Sequence, residues 1–330
     1  MKVGIVGSGS WGTALAQVLC DNGHDVLIWG RSEFEINDIN EFHRNSSYFE
    51  DAPLNESLKA TLELSELADS ELILLAVPSG AVESVASQMN EILTKATPVI
   101  NVAKGFHPTT HELLSEVIER VMDADKLSGV ISLIGPSHAE EVVLRKLTTI
   151  NAVSDDELLA EMVQVIFSNS YFRVYRNTDV IGSQIGVAIK NIMAVVSGAA
   201  AGLDLGDNAR AALMTRGLAE MTRYGVYFGG KAETFLGLCG VGDLIVTCTS
   251  PHSRNFQAGY EIGKANSAKD FMKNNKKTVE GIHAMKAVYD VVQEIGLSMP
   301  ITEQAYLVVY ENKNPLTAIK DLMDRELRHE

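Results

Sequence analysis

A chain of 330 residues exceeds what one hydrophobic core usually organises, so two domains are the first expectation and a single large α/β domain the alternative. Its 46% hydrophobic and 22% charged residues suit a globular protein, and no stretch reads as the roughly 20 apolar residues of a membrane span. The net charge of −15 argues against nucleic acid as a partner, since phosphate backbones are bound by clustered Lys and Arg, but leaves room for a small anionic substrate held by a few basic groups in a cleft.

Cys20, Cys239 and Cys248 are odd in number and lack metal-ligand spacing, so neither a disulfide framework nor a zinc site is indicated. Reduced thiols fit a cytosol. An apolar strand pattern starts at Val3, which leaves no room for a signal peptide and makes a cytoplasmic location the expectation.

In chain order, short apolar runs at 3–6, 26–29, 72–77, 99–102, 130–134, 149–153 and 171–175 read as strands, and the segments 81–93, 112–121 and 155–167 have helical spacing. Continuous apolar strands between helices predict a mostly parallel, doubly wound sheet covered on both faces. After Asp179 the alternation stops. Segments 185–203, 208–228, 281–295 and 302–310 all read as helices, so a boundary is placed near residue 180: a dinucleotide-binding domain over 1–180 and a helical substrate domain over 181–330. The Ala-, Gly-, Val- and Ser-rich stretch 192–201 suggests close helix packing. The biased stretch Lys273-Asn274-Asn275-Lys276-Lys277 reads as a solvated loop.

Gly7-Ser8-Gly9-Ser10-Trp11-Gly12 follows the first strand and opens a helix, the context that turns a weak pattern into a dinucleotide site. Gly7 permits the tight turn, Gly9 lets the backbone approach a pyrophosphate, and Gly12 allows close helix-to-sheet packing, while the free amides at the helix start attract the anion. The second strand ends in Ile28-Trp29-Gly30-Arg31-Ser32, with no acid where an NAD-selective site carries one, although Glu33 is near. Arg31 either pairs with a 2′-phosphate, favouring NADP(H) with NAD(H) tolerated, or is an exposed charge.

Two further loops follow strands, at Val77-Pro78-Ser79 and Ala103-Lys104-Gly105-Phe106, where ligands of open parallel sheets bind. Lys104 is either a substrate-oxygen or phosphate contact or a surface lysine. Gly135-Pro136-Ser137-His138 repeats the arrangement, and the helix-start position of His138 points to a structural or cofactor-edge role rather than a general base. Further on, Lys190 sits in an otherwise nearly uncharged apolar helix. Burial would lower its pKa toward the range of proton transfer, a neighbouring carboxylate would keep it charged, and a snorkelling lysine is the bland alternative. The small-residue segment 237–250 contains Asp243, a carboxylate for such a partner, and Ser253-Arg254-Asn255 at a helix start combine hydroxyl, guanidinium and amide donors suited to phosphate, or form a helix cap with a surface arginine.

Along nearly its whole length the chain resembles the bacterial NAD(P)-dependent glycerol-3-phosphate dehydrogenases. The resemblance rests on residues 7–16, Lys104-Gly105, Gly135-Pro136-Ser137, Lys190-Asn191, the helix 211–221, Gly242-Asp243-Leu244 through Ser253-Arg254-Asn255, Val279-Glu280-Gly281 and Met299-Pro300-Ile301-Thr302. It implies a Rossmann-type N-terminal domain with an all-α C-terminal domain like that of 6-phosphogluconate dehydrogenase, reversible reduction of dihydroxyacetone phosphate to sn-glycerol 3-phosphate for phospholipid synthesis, and a homodimer. It also implies Lys190 as proton donor or acceptor, with Asn191 and Thr247 in support. Lys104, Gly135, Ser137, Asp243, Ser253, Arg254 and Asn255 would surround the substrate. Ser10, Trp11, Arg31, Lys104, Ala139, Arg254 and Glu280 would touch the cofactor. His138 stands where the family usually has an aromatic, and Val241 where leucine is common. The rivals are a two-domain dehydrogenase of a hydroxy acid or hydroxyacyl thioester, and a nucleotide-sensing regulator; the pairing of Lys190 with Asp243 argues against a regulator.

Overall fold

The computed structural model describes residues 1–275, 278–327 and 329, which fall into two compact units, Met1–Val180 and Ile181–Glu330. In the first, β1 (Lys2–Val6), β2 (Asp25–Trp29), β3 (Lys59–Thr61), β4 (Leu72–Leu75), β5 (Thr97–Asn101), β6 (Leu127–Ile134), β7 (Thr148–Val153) and β8 (Phe172–Asn177) form one sheet in the order β3-β2-β1-β4-β5-β6-β7-β8. Neighbours run parallel except β6 and β7, which are antiparallel. Its helices are α1 (Ser10–Asp21), α2 (Glu33–Phe42), α3 (Val82–Ile92), α4 (Leu114–Val121), α5 (Ala139–Val142) and α6 (Glu157–Phe167).

The unbroken apolar strands have a cause in this layering. Along β4, Leu72 and Leu74 join the core that α1 and α6 supply through Leu15, Leu19, Val163 and Phe167. Ile73 and Leu75 join the opposite core with Val82 and Met89 of α3 and Leu114 and Ile118 of α4. Both faces are therefore dry, and each fully buried Leu or Ile contributes about 1.5–3 kcal/mol. Strand β3 and helix α2 were not expected. The strand has three residues at the sheet edge, and α2 (EFEINDINEF) leaves Phe34 and Phe42 exposed while burying Asp38 with Ile36 and Ile39, so neither carries a clean apolar periodicity. Val77 lies beyond the end of β4.

The second unit is built on α7 (Val180–Gly202), α8 (Gly206–Tyr227), α9 (Ala232–Phe235), α10 (Asp243–Thr249), α11 (Arg254–Ala265), α12 (Lys269–Asn274), α13 (Glu280–Ile295), α14 (Pro300–Tyr310) and α15 (Pro315–Met323), with a π-helical turn at Leu238–Gly242. Every residue of α7 from Gly182 to Val195 is buried. Helix α11 lies against it through Gly259 and Gly263, where a Cβ would come within 1.9 Å of the Val195 carbonyl oxygen and 2.1 Å of that of Ala199.

Among the described residues two helical stretches are, against the sequence reading, long and apolar enough to cross a membrane: 180–202, with an 18-residue window 83% buried within the protein, and 232–249, 44% buried. For α7 the apolarity is that of a core helix. The biased stretch was also misjudged in part: Lys273 and Asn274 end α12, because Phe271 and Met272 precede them in a helical turn, and Lys276 and Lys277 lie outside the described residues.

Candidate active site

The glycine turn sits where the strand order reverses, between β1 and β4, the usual ligand position in an open α/β sheet. Gly7 holds φ +122° with its amide on the Trp29 carbonyl at 2.9 Å, and a Cβ on Gly12 would meet the Gly7 carbonyl oxygen at 2.0 Å, so both positions exclude a side chain. Helix α1 starts without a side-chain cap and without an acid in its first turn, and a Cβ on Gly9 would have open space before it. The buried Trp11 Nε1 has no partner among the described residues. Uncapped amides, a cleared approach and an orphaned donor fit a dinucleotide pyrophosphate and its neighbouring groups.

Two side chains that hold this turn escaped the sequence reading. Asn45 Nδ2 donates to the Ser8 carbonyl and to Thr13 Oγ1, both at 2.9 Å, and Ser8 Oγ donates to Glu35 Oε2 at 2.5 Å. Glu35, not Glu33, is thus the acid brought to the turn; the only local signal was its place in the first turn of α2. Arg31 is exposed just beyond β2. Lys104 is half-buried in the loop after β5, followed by Gly105 at φ +101°. Beyond β6, Ser137 Oγ donates to the Gly135 carbonyl at 3.0 Å, His138 is the N-cap residue of α5, and Ala139 is buried.

In the second unit Lys190 is 2% exposed, which removes the snorkelling alternative. Its Nζ donates to Asp243 Oδ1 and to Thr247 Oγ1, each at 2.7 Å. Thr247 Oγ1 in turn donates to the Asp243 carbonyl one turn back at 2.6 Å, so the start of α10 presents carboxylate and hydroxyl together. A buried ammonium is stable only with such a counter-charge and filled hydrogen-bonding positions. One group remains unmatched: Asp243 Oδ2 is buried without a partner among the described residues. A buried lone carboxylate oxygen beside an amine is a place for a ligand hydroxyl. The adjacent Cys248 thiol is pushed up to about 12 by burial and is no nucleophile.

Around this pair, Asn191 Nδ2 donates to Glu280 Oε2 at 3.3 Å and Asn255 Nδ2 to Asn191 Oδ1 at 3.0 Å. Ser253 is the N-cap of α11, its Oγ accepting from Phe256 N at 3.2 Å, and Arg254, the first residue of that helix, is exposed. In the sequence, Ser253 suits either a helix cap or a phosphate contact; in the structure its oxygen caps, and its hydroxyl hydrogen is not used by that bond.

Comparison with known proteins gives this arrangement a family. Family models described as NAD-dependent glycerol-3-phosphate dehydrogenase N-terminus and C-terminus match residues 2–160 and 179–320. The chain is 49% identical over 330 residues to a glycerol-3-phosphate dehydrogenase [NAD(P)+] of Streptococcus equi subsp. zooepidemicus, covering all of this chain and 97% of that one. It is 46% identical over 331 residues to the protein so named in Macrococcus caseolyticus, with both chains fully covered. Among solved structures, the glycerol-3-phosphate dehydrogenase of Coxiella burnetii superposes with a TM-score of 0.89 at 34% identity, over 98% of this chain and 99% of that one. With both halves matched and full-length relatives at nearly half identity, the chain belongs to the NAD-dependent glycerol-3-phosphate dehydrogenase family.

Proposed function

We propose that this chain catalyses the reversible reduction of dihydroxyacetone phosphate to sn-glycerol 3-phosphate with NAD(P)H, feeding glycerophospholipid synthesis as a cytoplasmic homodimer. The observation that carries the chemistry is the buried Lys190–Asp243–Thr247 cluster with its unmatched Asp243 Oδ2. The bound nicotinamide supplies the hydride. Lys190 Nζ gives its proton to the substrate oxygen as negative charge grows there, and takes it back in the reverse direction. Asp243 Oδ1 and Thr247 Oγ1 fix that nitrogen, and Asp243 Oδ2 accepts a hydrogen bond from a substrate hydroxyl. Arg254, Ser253 and the first amides of α11 hold the phosphate, with Asn255 beside them.

In the first unit, Gly7, Gly9, Ser10, Trp11, Gly12, Arg31 and Ala139 serve the cofactor, and Lys104, Gly135 and Ser137 the substrate, Lys104 being shared. Arg254 and Glu280 complete the cofactor set. NADP(H) is the preferred cofactor: Arg31 stands at the end of β2, and the nearby Glu35 carboxylate is already engaged by Ser8.

The test follows NADPH absorbance after addition of dihydroxyacetone phosphate, and then of hydroxy-acid and hydroxyacyl precursors. Lys190→Ala should lower turnover roughly 100-fold or more with the cofactor dissociation constant unchanged, and NADPH should show a lower Michaelis constant than NADH. Full turnover by the variant would remove Lys190 from the chemistry, and a preference for NADH would remove the role of Arg31.

A further inference from the structure

The two buried asparagines beside the cluster form part of a closed hydrogen-bonded ring. Gly281 N donates to Asn255 Oδ1 at 2.9 Å, Asn255 Nδ2 to Asn191 Oδ1 at 3.0 Å, and Asn191 Nδ2 to Glu280 Oε2 at 3.3 Å. The Glu280–Gly281 peptide bond closes the loop. Its direction is forced, because a backbone N–H can only donate at one end and an ionised carboxylate can only accept at the other, so both amides have one permitted orientation. Asn191 and Asn255 are 2% and 8% exposed, which makes either amide costly to turn or to leave unmatched.

The ring joins three helices, and each member adjoins a residue of the proposed site: Asn191 follows Lys190 on α7, Asn255 follows Arg254 on α11, and Gly281 follows Glu280 on α13. It also supplies something α13 lacks. The N-cap residue of that helix, Val279, makes no side-chain cap, so Asn255 Oδ1 satisfies one of its first amides from a different helix.

We infer that Asn191 and Asn255 are positioning residues, an amide relay that locks the Lys190, Arg254 and Glu280 helices in one register. The inference rests on the reading of Lys190, Arg254 and Glu280 given above, but its geometry is independent of whether Lys190 moves a proton. Asn191→Asp replaces the donor facing Glu280 with a second carboxylate oxygen, and a like-charged pair at this separation has to share a proton. The other titratable or charged groups on the packed elements include Lys190 and Asp243, which pair with each other, Arg254 at the exposed start of α11 with Glu261 and Lys264 further along it, and on α13 His283 on the exposed side, Lys286 paired with Asp290, and Glu294 near its far end. Adding Glu280→Gln restores a donor, since the glutamine amide can give its N–H to the carboxylate introduced by Asn191→Asp.

The experiment compares wild type, Asn191→Asp, Glu280→Gln and the double variant by urea unfolding of the cofactor-free protein and by turnover, both across pH. For Asn191→Asp, turnover should fall roughly 10-fold or more at neutral pH and recover on acidification, and the unfolding midpoint should rise with acidification relative to wild type. The double variant should lose that acid dependence in both readouts and return to the level of Glu280→Gln alone. A profile for Asn191→Asp parallel to wild type, or a double variant no better than it, would overturn the relay. If Asn191→Asp does not fold at neutral pH, the double variant decides: folding supports the relay and failure to fold overturns it. Because unfolding is read without cofactor or substrate, failure of the proton-transfer role of Lys190, seen in Lys190→Ala turnover, stays distinguishable.

Discussion

Two cations of the proposed site live under opposite electrostatic regimes. Lys190 is sealed from water and held by Asp243, so removing either partner leaves an uncompensated buried charge and disturbs stability along with activity. Arg254 is exposed at the first position of α11, where its loss costs the fold little. Arg254→Ala should therefore raise the Michaelis constant for dihydroxyacetone phosphate by about 10- to 100-fold, the equivalent of about 1.5–3 kcal/mol for a lost charged hydrogen bond, with the unfolding midpoint unmoved. An unaltered Michaelis constant would return Arg254 to the role of a surface residue beside a helix cap. At this scale the sequence spoke clearly where one local segment contains the whole signal: the glycine turn between strand and helix, and one lysine among apolar neighbours. It was silent on Asn45 and Glu35, which reach the turn from 37 and 27 residues after Ser8, because no spacing rule joins such pairs.

Helices α13 and α14 begin with residues that cannot cap them, Val279 and Met299, and each borrows a cap from another helix. For α14 the cap is Glu220 of α8, whose carboxylate accepts from Ile301 N at 2.7 Å, Thr302 N at 3.1 Å and Thr302 Oγ1 at 3.0 Å. Burial pushes this carboxyl above its ordinary range, against those three hydrogen bonds and the nearby Arg223. The family-like segments 211–221 and 299–302 are thus two halves of one contact, which explains why helix periodicity located both helices but not their dependence on each other. Glu220→Gln keeps the shape but offers one acceptor oxygen, turning its amide nitrogen toward a backbone N–H. We expect a loss of about 1–3 kcal/mol in urea unfolding with an unchanged denaturant slope, and a variant as stable as wild type would show that the donors find other partners. Short elements with mixed composition, β3, α9 and α12, went unread for the opposite reason: packing against neighbours, not their own pattern, decides their conformation.

Across the whole chain acids outnumber bases, 43 to 28, and most of the carboxylates among the described residues are solvated. Asp21, at the end of α1, is an exception. Burial would raise its carboxyl, but Arg145 through Nε at 2.7 Å and Nη2 at 3.0 Å, Asn55 at 2.9 Å and the Tyr171 hydroxyl at 2.8 Å together hold it below the ordinary 3.8. Asn55, Arg145 and Tyr171 lie in the connections before β3, β7 and β8, so the group ties the end of α1 to three loops spread over the first unit. Because the folded-state value lies below the unfolded one, the stabilisation is complete above the ordinary 3.8 and is lost as pH falls through the folded value. Both tryptophans of the chain, Trp11 and Trp29, belong to this unit, so tryptophan fluorescence reads its unfolding specifically. Asp21→Asn should lower the fluorescence-detected stability by about 1.5–3 kcal/mol at neutral pH, since the amide presents a donor to groups that donate. The deficit should then narrow as pH drops below 3.8, where wild type progressively loses the same carboxylate. A deficit that stays constant down to strongly acidic pH would mean that the side chain acts through packing rather than charge.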